Sequence, residues 1–433
     1  MRTSLWVCAL GCVASVASAQ QRAPAPGSVS AADTLLLTRR QAIAMALASN
    51  PTIDVAREQT AQVKAQRVEG MAIPDPSFSA AYDSMPGLTG FSPSVSKPLS
   101  LTVVVPFPDK IRLQSRMGTF NVNAAQENQR LVAQGVAATA SEAYDALLVA
   151  AMHRRDFLEA DSLASDFLKK TQARFNAGTV ARLDVIKAQV DVASAGNDLI
   201  ANARDVTNAE SALNRVIGRP LGSPLALADS LTVPAPLPDL DAVQQAALRS
   251  RPEIRALEAQ QRSAQANASL IREQAFLPDL FASASRDASV AVRTWYSVGI
   301  TLPIPILFWQ HSRGDFAESH HRQLELAASL RDTRAAVGQD VQAAFANADA
   351  AERQAVFIRD QLLPSAREAY RVATTSYALG GLSALDVLDA RRSLLDAESQ
   401  YADALAAANS ARADLERAAG VPLSTFAPGA SRE

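Results

Sequence analysis

The chain has 433 residues, with 42 Lys+Arg against 44 Asp+Glu, a formal charge of 42 − 44 = −2. That balance excludes a polyanion binder, and so a nucleic-acid partner, because displacing counterions needs a basic surplus. Hydrophobic residues at 48% exclude a disordered chain; aromatics at only 5%, with alanine filling the gap, point to long, closely packed helices.

Residues 1–19 read as a secretory signal peptide. Arg2 precedes an apolar stretch from Leu5 to Val16, and Ala17-Ser18-Ala19 offers a small-x-small cleavage site. Both cysteines, Cys8 and Cys12, fall inside it, so no disulfide or thiolate ligand is expected afterwards. Ala9-Leu10-Gly11-Cys12 also admits a lipoprotein signal with Cys12 acylated. No later stretch approaches the ~20 apolar residues of a spanning helix. The mature chain is therefore expected in the periplasm, or in an outer membrane as β-strands.

A linker (20–39) leads into a sequence that is written twice. Gly178-x-x-x-x-Leu183-Asp184-Val185-x-x-Ala188 returns as Gly380-x-x-x-x-Leu385-Asp386-Val387-x-x-Ala390, a shift of 380 − 178 = 202. Asn50-Pro51-x-Ile53 returns as Arg251-Pro252-x-Ile254, Pro74-Asp75 as Pro278-Asp279, and Val105-Pro106-Phe107-Pro108 as Leu302-Pro303-Ile304-Pro305. A period near 200 residues marks a duplicated domain rather than a solenoid. The repeats span 40–221 and 240–423, with a Pro-rich connector (222–239) between them and a tail (424–433) after them.

Each repeat has one order of elements. A helical segment (Arg40 to Met71; Asp241 to Phe276) leads to two short extended stretches and then a very long helix. The stretches are Ser77–Tyr82 and Ser100–Phe107, then Leu280–Ser285 and Trp295–Ile304. In the last, Tyr296, Val298 and Ile300 alternate with Ser297, Gly299 and Thr301, a period of two that gives one wet and one apolar face. On a lipid-facing barrel that is the expected signature. Tyr82, Trp295, Tyr296 and Trp309 gather at the ends of these stretches, as interface aromatics do; aromatics also favour strands anywhere. The long helices run from about Asp109 to Arg174 and Ser312 to Tyr377, rods of roughly 100 Å at 1.5 Å per residue. Return helices, Leu183 to Ile217 and Leu385 to Ala419, each stop at a glycine with a proline two residues on. The fold class is mainly α with a small transmembrane β part. Four strands cannot close a sheet, and an open edge in lipid leaves backbone groups unpaired, so several copies must share one barrel.

The layout and the turns Arg174-Phe175-Asn176-Ala177-Gly178-Thr179 and Ser376-Tyr377-Ala378-Leu379-Gly380-Gly381, each followed by Leu-Asp-Val, resemble the TolC-type outer-membrane efflux protein family over essentially the whole mature chain. The resemblance implies a homotrimer in which four strands per chain make a twelve-stranded barrel, continued by a periplasmic α-helical barrel. It implies an inner-membrane pump, proton-driven, and a periplasmic adaptor as partners, besides outer-membrane lipid. Pro303-Ile304-Pro305-Ile306-Leu307-Phe308 with Arg313-Gly314 is similar to the branch exporting heavy-metal cations.

The same resemblance makes the tips, with Gly178, Thr179, Leu183, Gly380, Gly381 and Leu385, the adaptor-docking positions. Each tip glycine is equally explained as a tight turn between helices. Asp386 and Asp389 share a helix face at i and i+3, and match aspartates that ring the periplasmic mouth; Asp184 holds the equivalent place in the first repeat. Ser383-x-x-Asp386 also reads as a helix cap, so pore and cap readings both stand. Tyr377 is retained near the mouth, but an arginine that helps latch it in some members is Leu382 here, implying a different closing mechanism. No catalytic constellation, cofactor loop or metal site is expected: His153, His311, His320 and His321 offer no pair at i and i+4. An exit duct for metal cations or small toxic compounds is the favoured reading. A type I protein-secretion outlet is the near alternative, and a periplasmic helical adaptor without a pore is the alternative from another class.

Overall fold

The computed structural model describes residues 35–81, 97–288 and 294–426. The signal peptide and Tyr82 lie outside them. Each repeat opens with two helices where one was expected: α1 (Arg39–Ser49) and α2 (Pro51–Glu69), then α5 (Leu240–Ser250) and α6 (Pro252–Phe276). The proline is the reason. It forces the preceding residue out of the helical region, and Asn50 (φ −74°, ψ 124°) and Arg251 (φ −59°, ψ 124°) are both extended. The proline itself is tolerated as the first residue of the next helix.

The first long helix, α3 (Pro108–Asn176), is unbroken over 69 residues and turns into α4 (Arg182–Val216). Its counterpart is α7 (Phe308–Phe357), one π-helical turn (Ile358–Leu362), and α8 (Leu363–Ala378), followed by α9 (Ala384–Ala419). The π turn precedes Pro364. A wider turn accommodates the missing N–H and the ring that would otherwise break the rod.

Four strands, β2 (Ser77–Ala80), β3 (Lys97–Val105), β5 (Leu280–Ala288) and β6 (Trp295–Thr301), pair antiparallel in the order β2-β3-β5-β6. The register aligns Ser79, Ser100, Ser285 and Ser297 in one row. Their hydroxyls pair at 2.7 Å (Ser79 with Ser100) and 2.6 Å (Ser285 with Ser297). The adjacent row, Phe78, Leu101, Ala284 and Val298, lies on the other face. One face is therefore polar and the other apolar, with Val298 86% and Ile300 72% exposed. The sheet stays open at β2 and β6. No described helix is long and apolar enough to cross a membrane.

A second, parallel pair joins β1 (Leu35–Leu37) to β4 (Leu225–Leu227), in segments the sequence marks only as linkers. Three residues carry too little alternation to be recognised. Their anchor is Tyr144, which donates to Leu37 O at 2.9 Å and to Asp229 Oδ2 at 3.0 Å. Burial, reinforced by Asp229, pushes the Tyr144 hydroxyl up to about 12.

The duplication recurs in the packing. Leu213, Ile53, Val136 and Ala140 belong to one core; their equivalents Leu415, Ile254, Val337 and Val341 belong to a second. Ser49 Oγ donates to Ile217 O at 2.6 Å where Ser250 Oγ donates to Ala419 O at 2.8 Å, one lock per repeat.

Candidate functional site

The two helix hairpins end in near-identical turns. At the first, Gly178 N–H donates to Phe175 O and Thr179 N–H to Arg174 O; at the second, Gly380 N–H donates to Tyr377 O and Gly381 N–H to Ser376 O. Both central glycines are left-handed, with φ of 75° and 81°, a conformation that costs a side-chain-bearing residue roughly 1 kcal/mol or more. Leu183 (58%), Leu385 (49%) and Leu379 (84%) stand exposed beside these turns. The expected docking positions thus lie on bare apolar ends.

Asp386 caps α9 by a capping box. Its Oδ2 accepts from Ser383 Oγ (2.7 Å) and Ser383 N (2.8 Å), while Ser383 Oγ accepts from Asp386 N (3.4 Å). These bonds, the hydroxyl's first, hold the Asp386 carboxyl below the usual carboxylate range. Asp389 is exposed one turn on, and its backbone carbonyl accepts from Ser393 Oγ. Asp184 sits in the first turn of α4, whose Ala181 provides no side-chain cap.

Tyr377 is buried within the chain. Its ring lies 5.3 Å from that of Phe167, and its hydroxyl is 3.3 Å from Thr171 Oγ1. The Arg174 guanidinium stacks over the ring, 4.5 Å from its centroid, and donates Nη1–H to the Tyr377 carbonyl oxygen. Arg174 Nε also reaches Thr179 Oγ1 at 3.5 Å. One arginine of the first hairpin therefore ties both tips together. Five residues beyond Asp386 on α9, buried Arg391 donates Nη1–H to Ala160 O at 2.9 Å and pairs with Asp191, joining α9 to α3 and α4. Sequence reasoning gave no role to Phe167, Thr171, Arg174, Asp191 or Arg391. The Arg174-Phe175 pair inside the repeated turn was the one available signal.

At the opposite end, Trp295 (63%) and Tyr296 (76%) stand exposed at the start of β6, and Trp309 lies in the first turn of α7. Among the described residues no group of three or more His, Cys, Asp or Glu side chains could hold a metal ion.

An apolar-faced sheet that continues into paired long helices defines the anatomy of an outer-membrane conduit. The chain belongs to the outer membrane efflux protein family, whose model matches it twice, at 42–219 and 243–421, once per repeat. It is similar to the cobalt-zinc-cadmium resistance protein CzcC of Cupriavidus metallidurans, 23% identical over 397 residues that cover 89% of this chain and 90% of CzcC. It is also similar to the pyoverdine export outer membrane protein OpmQ of Pseudomonas aeruginosa, 28% identical over 242 residues, 54% of this chain and 50% of OpmQ. A solved structure of CusC superposes with a TM-score of 0.75 at 20% identity, covering 90% of this chain and 94% of CusC.

Proposed function

We propose that this chain is the passive outer-membrane exit duct of a tripartite efflux system, working as a homotrimer. The observation that carries the reading is the open sheet. Three antiparallel pairings leave its edges, β2 and β6, running in opposite directions, so β6 of one copy can pair with β2 of the next in the same antiparallel manner. Closure removes every unpaired edge, which lipid demands. The apolar face, with Phe78, Leu101, Val298 and Ile300, then meets lipid, and the serine row lines the lumen.

The bare tips at Gly178 and Gly380 are where a periplasmic adaptor docks, with Thr179, Leu183, Gly381 and Leu385 around them. An inner-membrane pump supplies the energy for export. Arg174, stacked on Tyr377, replaces the arginine missing at Leu382 as the tie that keeps the mouth shut. Asp386 and Asp389, three copies of each, give the mouth a negative ring that favours cations; capping and ringing are compatible, because Asp386 stays ionised.

Similarity to CzcC over nearly its whole length makes heavy-metal cations the proposed cargo. Deleting the gene in its host should lower tolerance to cobalt, zinc or cadmium, and a plasmid copy should restore it. Unchanged tolerance to all three would remove metals as cargo. The partial likeness to OpmQ favours pyoverdine export as the second reading, which predicts instead a drop in secreted pyoverdine.

A further inference from the structure

The strand register separates two adjacent aromatics that the sequence groups together. β6 pairs without a break from Trp295 to Thr301, so Trp295 shares a face with Ser297, Gly299 and Thr301, and Tyr296 shares the other with Val298 and Ile300. Tyr296 therefore lies on the apolar side, as an interface aromatic does, whereas Trp295 lies on the side of the serine row. The Trp295 row continues through Asp287 and Pro98, across β5 and β3, and Ala81 N–H extends it by donating to Pro98 O at 3.0 Å. This is the end of the sheet away from the helices: β3 runs from it toward α3, and β6 runs from it toward α7.

Chemically this row differs from those beneath it. The next row is all serine, and the one after holds Ser77, Thr102, Ser283 and Gly299. Among the described residues Asp287 is the one charged side chain on this face; Lys97 and Arg286 fall on the opposite one. The indole is exposed, and its neighbours on the face within the chain are Ser297, Ser285 and Asp287. Closing the barrel would not cover it. The strand set against β6 would be β2 of another copy, which offers only Ser77 and Ser79 on this side. An aromatic face left open to water beside a carboxylate attracts cations, through the ring quadrupole and through charge. A flat organic cation, weakly hydrated, can lie on the ring itself.

We propose that Trp295 and Asp287 of each copy form a subsite for planar organic cations, inside the barrel at the end away from the helices. The proposal rests on the shared-barrel reading above, which puts the serine row in the lumen, and adds a ligand class to it. The indole supplies the stacking surface and the Asp287 carboxylate the negative charge beside it. The hydroxyl rows beneath carry neither, so a cation of this class is held at the outer row and not along the rest of the strands.

Fluorescence tests this directly, because the chain has three tryptophans, Trp6 in the signal segment, Trp295 and Trp309. In the full-length protein reconstituted in phospholipid, Trp309→Phe leaves Trp295 as the reporter, and adding Trp295→Phe gives the background. Methyl viologen, a flat dication that quenches indole on contact, should quench Trp295 with saturation and an unchanged lifetime, the mark of a bound complex. Neutral acrylamide should instead shorten the lifetime in proportion to its concentration. Asp287→Asn should raise the half-quenching concentration of methyl viologen about threefold. Lipid brominated on its acyl chains should leave Trp295 bright. Quenching by brominated lipid, or methyl viologen behaving as acrylamide does, would overturn the subsite. A cysteine pair reports the sidedness of the sheet separately: Ser297→Cys should react with a membrane-impermeant maleimide and Val298→Cys should not, Cys8 and Cys12 lying within the signal segment. That pattern with a failed Trp295 leaves the shared barrel standing. A reactive Val298→Cys with a protected Ser297→Cys would overturn both.

Discussion

Arg174→Ala removes the tie between the two hairpin tips without touching the backbone of either turn. The stacking of the guanidinium on Tyr377 at 4.5 Å is worth ~0.5–1 kcal/mol at a half-exposed site. Its hydrogen bond to the Tyr377 carbonyl oxygen, from a charged donor, adds about 1.5 kcal/mol. The sum, about 2 kcal/mol per chain, shifts a closed–open equilibrium at the tip by roughly 30-fold, at 1.4 kcal/mol per factor of ten. In planar bilayers the variant should show longer and more frequent open events than the parent. Arg174→Lys keeps the charge but loses the planar stack, and should fall between the two. Tyr377→Phe deletes only the 3.3 Å contact with Thr171 and should change little. An Arg174→Ala channel with parental open time and an intact helical spectrum would refute the idea that this residue holds the mouth.

Arg391→Ala leaves Asp191 partly buried without its cation, which costs about 3–5 kcal/mol; amide exchange should accelerate selectively in α3, α4 and α9 around residues 156–164 and 388–395. Gly218→Ala places a Cβ 2.8 Å from Ser49 Oγ at a φ of 73°, so this variant should melt at a lower temperature, with Ala at the unconstrained Gly135 as a neutral comparison. Burial raises the carboxyl pKa of Asp156 despite Arg155 beside it. Its protonated form is therefore favoured by the fold: that stability is fully present below the unfolded value of about 4 and is lost as pH rises through the raised folded value. Asp156→Asn should accordingly be tolerated at pH 7, and should flatten melting temperature against pH from about 4 upward. Asp386→Ala with Asp389→Ala should lower the cation-to-anion permeability ratio; unchanged selectivity would remove both residues from the pore lining.

Period and punctuation were legible in the sequence, and partnership was not. The duplicated Leu-Asp-Val turns located both tips, and alternation in 295–301 located β6, because each signal is local. The split at Asn50-Pro51 was visible in principle, since the residue before proline rarely stays helical. The β1–β4 pair was not visible: three residues carry no period, and the two strands lie 190 residues apart in register, Leu35 against Leu225. Tyr377 shows the limit most plainly. Its place in the repeated turn could be read, but its burial comes from Phe167 and Arg174, some 200 residues away on the other hairpin. The Asp386 cap, by contrast, was readable from Ser383 three residues before it.

Purified in detergent and reconstituted in a planar bilayer, the protein should show three chains per particle by light scattering together with steady ion conductance. A single chain per particle that passes no current would contradict a barrel shared among copies.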